Sequence, residues 1–314
     1  MLEKILTLKE LESLSIEEKE KYYQMLKEYC DLIKVNIESR KISKKIISLI
    51  APHLRKYKLE IYGDENIPKN DSAVFICNHS NSHDFFTTQE VFNELQRNVT
   101  PFGASDCLNF ISLQVFKLGD VTLIDRSNKD SSLNGLMNFS KKIIDGEDGI
   151  IFSEGTWNLH PTKPMQNLKI GGTQSALIAD KVIIPTIFEY VEVPDIVEKE
   201  SEIYSRCIVE FGKPIIVKSE DNIIEKTKLI QITLEEMRKN IWKKLGIKKD
   251  SLDDINKQVY LNHTYMKKFD GLGFEYDSNH EFQYLLKDRN GTYENEYTLN
   301  ENNDFVPGIT HKNK

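Results

Sequence analysis

Four short blocks, in a set order, place an acid, a base and a cation directly after apolar runs. Asn78-His79-Ser80-Asn81-Ser82-His83-Asp84 follows the apolar run 73–77. The stretch from Gly119 to Arg126 closes on Ile124-Asp125-Arg126. Ser153-Glu154-Gly155-Thr156 follows a second apolar run at 149–152, and Val182-Ile183-Ile184-Pro185 comes last. A histidine, two carboxylates and an arginine at the ends of buried strands is how an α/β domain builds a catalytic pocket.

The histidine and the first carboxylate carry the chemistry. Residues 73–77 read as a buried strand, and Asn78 to Ser82 as a turn. Residues 84–95 read as a helix whose apolar face is Phe85, Phe86, Val91, Phe92 and Leu95. Two residues five apart in one helix sit about 140° from each other around its axis and do not meet. A His79–Asp84 pair therefore requires His79 in the turn and Asp84 in the first helical turn, where the positive end of the helix favours its charge. Asp84 can then accept a bond from one imidazole nitrogen, fix the tautomer, and leave the other nitrogen to take a proton. No Gly-x-Ser-x-Gly elbow supplies a nucleophile. The expected chemistry is direct: His79 deprotonates a bound hydroxyl or amine, which attacks an activated carbonyl. Taken alone, His79 serves equally well as a turn residue that caps the helix.

Composition narrows the classes. The 314 residues hold 42 Lys+Arg against 49 Asp+Glu, a net charge of −7, which gives no general attraction to nucleic acid. Cys30, Cys77, Cys107 and Cys207 are scattered without metal-like spacing, which suits buried thiols in a reducing compartment. His79 and His83 could share i, i+4 spacing, but no third ligand follows, so no metal is expected. The N-terminus shows no secretory apolar region and no window of about 18 apolar residues occurs, so a cytoplasmic protein without a membrane span is expected.

The elements that must position these residues follow from periodicity. Residues 1–51 read as helical, with Ser15-Ile16-Glu17-Glu18 as a cap. Residues 34–58 are strongly basic, with Ile42, Ile46, Ile47, Leu49 and Ile50 on an apolar side and Pro52 as a stop. Three readings suit that stretch: packing on the domain, lying on an anionic membrane surface, or docking an acidic acyl carrier protein. Strands are expected at 58–62, 73–77, 100–104, 121–124, 149–152, 182–190 and 207–211, with helices at 131–145 and 171–180 between them. A long helix is expected at 221–245, ended by Gly246. The alternation indicates an α/β sheet domain with its site at strand C-terminal ends. Residues 289–314 carry little apolar content and read as an extended or unstructured tail. The organisation is an N-terminal helical segment at 1–56, the main domain at 57–248, and a polar C-terminal extension at 249–314.

Taken together, the blocks resemble those of the lysophospholipid and glycerol-phosphate acyltransferases, over roughly residues 57–245. The matching positions are His79 to Asp84, Gly119 to Arg126, Glu154-Gly155-Thr156 and Ile184-Pro185, with Val209 to Ile215 resembling the closing strand. The resemblance implies a glycerol-3-phosphate acyltransferase-like fold: a central mixed sheet flanked by helices, with an N-terminal helical segment. It implies transfer of a fatty acyl group from an acyl-CoA or acyl-carrier-protein thioester to an acceptor hydroxyl. His79 would be the general base and Asp84 its orienter; Arg126, Glu154, Gly155 and Thr156 would bind the acceptor, with Lys169 as a further cation. The thioester is a co-substrate, and no cofactor or metal is implied.

Two cations common in that family are missing. Trp157 stands where an arginine usually closes the third block, and Ala104-Ser105 where a lysine often lies. A phosphate-bearing acceptor thus loses two donors. A non-phosphate small molecule or a glycan stays open as acceptor, as does a non-catalytic lipid- or carrier-binding protein. Trp157 suits an apolar or stacking wall as well as packing under the loop. The resemblance adds weight to a peripheral place on the inner face of the membrane, reached through 34–58.

Overall fold

The computed structural model describes residues 6, 8–33, 57–79, 83–105, 110–126, 128–155, 158, 164–192, 204–247, 297–299 and 305–307. Two helices come first, α1 (Leu8–Ser13) and α2 (Ile16–Leu32). Ser15 caps α2 reciprocally: its side chain accepts from the Glu18 N–H while Glu18 accepts from the Ser15 N–H. The sheet domain then runs β1 (Lys58–Tyr62), β2 (Val74–Cys77), α3 (Asp84–Glu94), β3 (Val99–Ala104), α4 (Phe110–Leu118), β4 (Thr122–Ile124), α5 (Lys129–Ile144), β5 (Asp148–Phe152), α6 (Gly171–Ala179), β6 (Ile183–Glu192), β7 (Tyr204–Phe211) and α7 (Ile223–Leu245). The basic stretch 34–56 lies outside the described residues.

Seven strands form one mixed sheet in the order β1-β7-β6-β2-β5-β3-β4. From β6 to β4 all neighbours are parallel; β7 runs antiparallel to β6, and β1 is parallel to β7. Period-2 alternation divides the core between two faces. Phe75 and Cys77 pack with Val91 and Phe92 of α3 and with Ile184, Phe188 and Phe211. Val74 and Ile76 pack with Phe139 and Ile143 of α5, Ala176 and Ala179 of α6, and Ile230 and Leu234 of α7. All four β2 residues are buried, as both faces of a central parallel strand require. Outside this layer, Leu26 and Cys30 of α2 close over Met137 and Ile178.

The strand order sets where a ligand can enter. From β2 the chain moves past β5 to β3; from β5 it moves back past β2 to β6. The direction reverses between the adjacent strands β2 and β5, and a crevice opens outside their carboxyl ends at such a switch point. The amino ends of the same strands are locked by charge. The buried Asp148 at the start of β5 accepts from Arg97 Nε at 2.5 Å and Nη2 at 2.7 Å, and from the Ala73 N–H at 3.0 Å.

The seven expected strands all form, with ends shifted by a few residues. β6 runs on to Glu192 and β7 starts at Tyr204 because they pair antiparallel along that length. Gly246 ends α7 in the left-handed conformation, φ 67°. In the polar tail, Tyr297–Leu299 (β8) pairs antiparallel with Phe305–Pro307 (β9). These short β-rich triplets fall in a stretch whose low apolar content hides them.

Arg97→Ala leaves the buried Asp148 carboxylate without its bidentate partner. Chemical denaturation is expected to show a loss of about 3–5 kcal/mol, while the folded variant keeps the wild-type kcat, because this pair sits at the opposite end of the sheet from the site.

Candidate active site

The turn after β2 is built by side chains standing in for backbone. Asn78 is buried; its amide donates to the Phe188 carbonyl at 2.9 Å and accepts from the Phe188 N–H at 2.8 Å. This pairing continues the β2–β6 contact one residue past the strand and fixes the start of the turn. His79 comes next, and Asp84 is the first residue of α3. His79 Nδ1 lies 2.7 Å from Asp84 Oδ2. The side chain of His79 is 23 % exposed and that of Asp84 1 %. The imidazole can therefore meet a substrate while its partner is withheld from water. With Asp84 as carboxylate, Nδ1 carries the proton and Nε2 the lone pair. The His79 ring lies over Phe152, centroids 4.8 Å apart.

The other oxygen of Asp84 has its own donor. Tyr190 Oη on β6 donates to Asp84 Oδ1 at 2.7 Å. Thr87 Oγ1 lies 3.0 Å from Tyr190 Oη and 2.5 Å from Tyr57 Oη, and donates to the His83 carbonyl at 3.0 Å. His83 sits at the helix cap, its ring edge-on to Tyr57.

Glu154 faces inward. It is fully buried; Oε1 accepts from the His79 N–H at 2.7 Å and Oε2 from the Gln166 N–H at 2.5 Å. Asn158 N–H reaches the His79 carbonyl at 2.5 Å, and Gln166 Nε2 reaches Asn158 Oδ1 at 3.4 Å. The loop after β5 thus grips the backbone of His79 on both sides. Gly155 makes the turn possible: its φ of 66° is a left-handed conformation, and its N–H returns to the Phe152 carbonyl at 2.9 Å.

Arg126 reaches the same loop from β4. Its Nη1 donates to the Gly155 carbonyl at 2.9 Å. The turn that presents it is held by Ser131 Oγ, which accepts from the Asp125 N–H, and by Asn128, which caps α5. Lys169 is exposed, with its N–H on the Ser153 carbonyl at 2.7 Å. Hydrogen bonds thus join His79 to Asp84 and Glu154, and Arg126 to Gly155, the next residue along the loop, with Lys169 tied to that loop through Ser153. Thr156 and Trp157 lie outside the described residues.

Residues 58–189 match the family model described as Acyltransferase. This stretch is an acyltransferase-type domain. No curated protein matches the chain. Among solved structures, it is similar to the 1-acyl-sn-glycerophosphate (LPA) acyltransferase PlsC from Thermotoga maritima, at 14% identity and a TM-score of 0.46, over 70% of this chain and 88% of that one.

Two signals escape a sequence reading of this domain. Tyr190 lies 106 residues from Asp84 and reads as one more apolar position of β6. Glu154 reads as a ligand-facing acid, yet its two oxygens serve the backbone. Its environment is a contest of terms. Burial pushes its carboxyl up to about 8, with the nearby Asp84 charge adding to that; the N–H bonds from His79 and Gln166 and the charge of Arg238 pull the other way. Arg238 is itself buried, paired with Glu189 at 2.6 Å and bonded to the Pro164 carbonyl at 2.7 Å.

Glu154→Gln turns an NH₂ group toward one of two backbone N–H donors and is expected to lose about 1–3 kcal/mol of stability. The pH dependence has a defined sign. A carboxyl raised from 4.5 to about 8 stays protonated in the fold where the unfolded chain has released its proton. Its contribution is therefore full below about 4.5 and falls as pH rises to about 8. Denaturation of both proteins across this window is expected to show the gap between wild type and variant narrowing with rising pH.

Proposed function

We propose that this acyltransferase moves a fatty acyl group from a thioester, acyl-CoA or acyl-carrier protein, to a hydroxyl of a lysophospholipid or glycerol-phosphate-like acceptor, with His79 as general base. The observation that carries the reading is the 2.7 Å contact between a partly exposed His79 and a buried Asp84, just past the carboxyl end of β2. His79 Nε2 removes the acceptor O–H proton as that oxygen attacks the thioester carbonyl carbon. The C–S bond then breaks, and the departing thiolate takes the proton back from the imidazolium. Asp84 offsets the imidazolium charge between the two steps. The thioester is already activated, so this route calls on proximity, a base and fixed charge, with no metal.

Glu154 fits a positioning part, since it holds the His79 backbone. Arg126 fits the acceptor side: one of its five N–H donors is on Gly155, and a guanidinium suits a phosphate. Lys169 would add a cation on the same side. A neutral acceptor is the second reading, favoured by Trp157 in place of an arginine. Among the described residues no helix is long and apolar enough to cross a membrane. Contact with a lipid acceptor would then come through the basic stretch 34–58, on the inner face of a membrane.

The test is thiol release from an acyl-CoA with lysophospholipid, glycerol-3-phosphate or a neutral alcohol as acceptor. His79→Ala is expected to lower kcat by about two to four orders of magnitude with an unchanged melting temperature; retained turnover would overturn the reading. Arg126→Ala is expected to raise KM for an anionic acceptor roughly ten- to a hundredfold, the worth of a charge-assisted bond. An unchanged KM would favour the neutral acceptor.

A further inference from the structure

We propose that Tyr190 is a positioning residue of this acyltransferase: its hydroxyl holds Asp84 Oδ1 so that Oδ2 is presented to His79. The proposal rests on the reading above that His79 is the base, and adds to it a residue 106 positions away from the carboxylate it steers.

Asp84 is completely buried, and each of its oxygens faces a named donor at 2.7 Å: Oδ2 the His79 imidazole and Oδ1 the Tyr190 hydroxyl. A carboxylate gripped at one oxygen can swing about its terminal torsion, which is a broad well. Gripped at both, its plane is set. Tyr190 is in turn held. The three hydroxyls lie in mutual contact, and each has one proton. Tyr190 donates to Asp84, so it accepts in its contact with Thr87, which also donates to the His83 carbonyl; Tyr57 lies 2.5 Å from Thr87 Oγ1. The Tyr190 proton is thus committed to Asp84, with Thr87 and Tyr57 supporting the phenol from behind. Three segments converge to make this row: the residue before β1, the first turn of α3, and β6. The rings of Tyr57 and Tyr190 meet edge to face at 5.5 Å, a contact that phenylalanines would satisfy equally. Packing alone does not account for the hydroxyls.

Other titratable groups near Asp84 leave this arrangement in place. Cys77 from β2, His83 from the helix cap, Tyr57 before β1 and Glu154 from the loop after β5 all act on Asp84 or feel its charge. Burial raises Tyr190, Tyr57 and Cys77 well above their ordinary values, so they stay protonated through the neutral range. Burial lowers His83, which favours its neutral form. Glu154, raised to about 8, is the one of these neighbours that titrates near neutrality.

The test is Tyr190→Phe in the full chain, in wild-type and Asp84→Asn backgrounds, with Thr87→Val as a second route to the same row. In the wild-type background kcat should fall roughly tenfold, the worth of one hydrogen bond to a charged group, with KM for the thioester within about twofold. The acid limb of the kcat/KM profile should move to higher pH by roughly half a unit. Without the Tyr190 donor, the Asp84 charge acts more fully on the imidazolium, which then keeps its proton longer. Thr87→Val should move both quantities in the same directions by less, and serves if Tyr190→Phe fails to fold. In the Asp84→Asn background, Tyr190→Phe should add less than about a twofold loss. A smaller active fraction would lower the rate without moving the limb. An unmoved limb, or an equal fold-loss in both backgrounds, overturns the proposal. His79→Ala with retained turnover overturns the base assignment instead, so the two failures are distinct.

Discussion

A carboxylate removed from water must be surrounded by donors, and that requirement at Asp84 organises this end of the molecule. An unpaired buried charge costs far more than any single contact here can offset. The donors come from places the chain must bring together: the imidazole from the turn after β2 and the phenol from β6. Asp84 itself opens α3, where the helix N-terminus favours its charge. The β2–β6 pairing, extended by the Asn78 amide on Phe188, sets the distance between these donors.

The sheet separates stability from chemistry along its strands. At the amino ends of β2 and β5, Arg97 and Asp148 form a dense charged lock with Ala73, Pro68 and Asp71. At the carboxyl ends, where the strand order reverses, the loops carry His79, Glu154 and Arg126. These loops are held by side-chain-to-backbone bonds rather than by apolar packing. Glu154 is the central example. It connects the His79 loop to the Gln166 loop, and Arg238 ties α7 to the same segment through Pro164. A base that must move protons without shifting its backbone is well served by such a clamp.

Much of this was legible in the sequence, and the limits have physical reasons. Buried parallel strands are continuous apolar runs, so the runs at 73–77 and 149–152 announced β2 and β5. The helical offset of five residues forces His79 out of the helix that Asp84 begins, and that geometry is what forms. Capping at Ser15 and termination at Gly246 follow local rules. Tyr190 was invisible because a tyrosine in a strand looks like core; its hydroxyl matters only once β6 lies beside β2. The inward turn of Glu154 was equally hidden, since a motif cannot say which way a carboxylate points. The helix Phe110–Leu118 has too short and uniformly apolar a sequence to betray its period. The basic stretch 34–56 and Thr156, both singled out by sequence, fall outside the described residues.

The tautomer of His79 is where sequence, fold and chemistry meet. Nitrogen-15 NMR of the imidazole in the folded protein, above the pH at which it ionises, reads that tautomer directly. The expected result is a proton on Nδ1 with Nε2 as the basic nitrogen, and loss of that preference in Asp84→Asn. A neutral His79 protonated on Nε2, or a tautomer indifferent to Asp84, would contradict the role of the buried carboxylate.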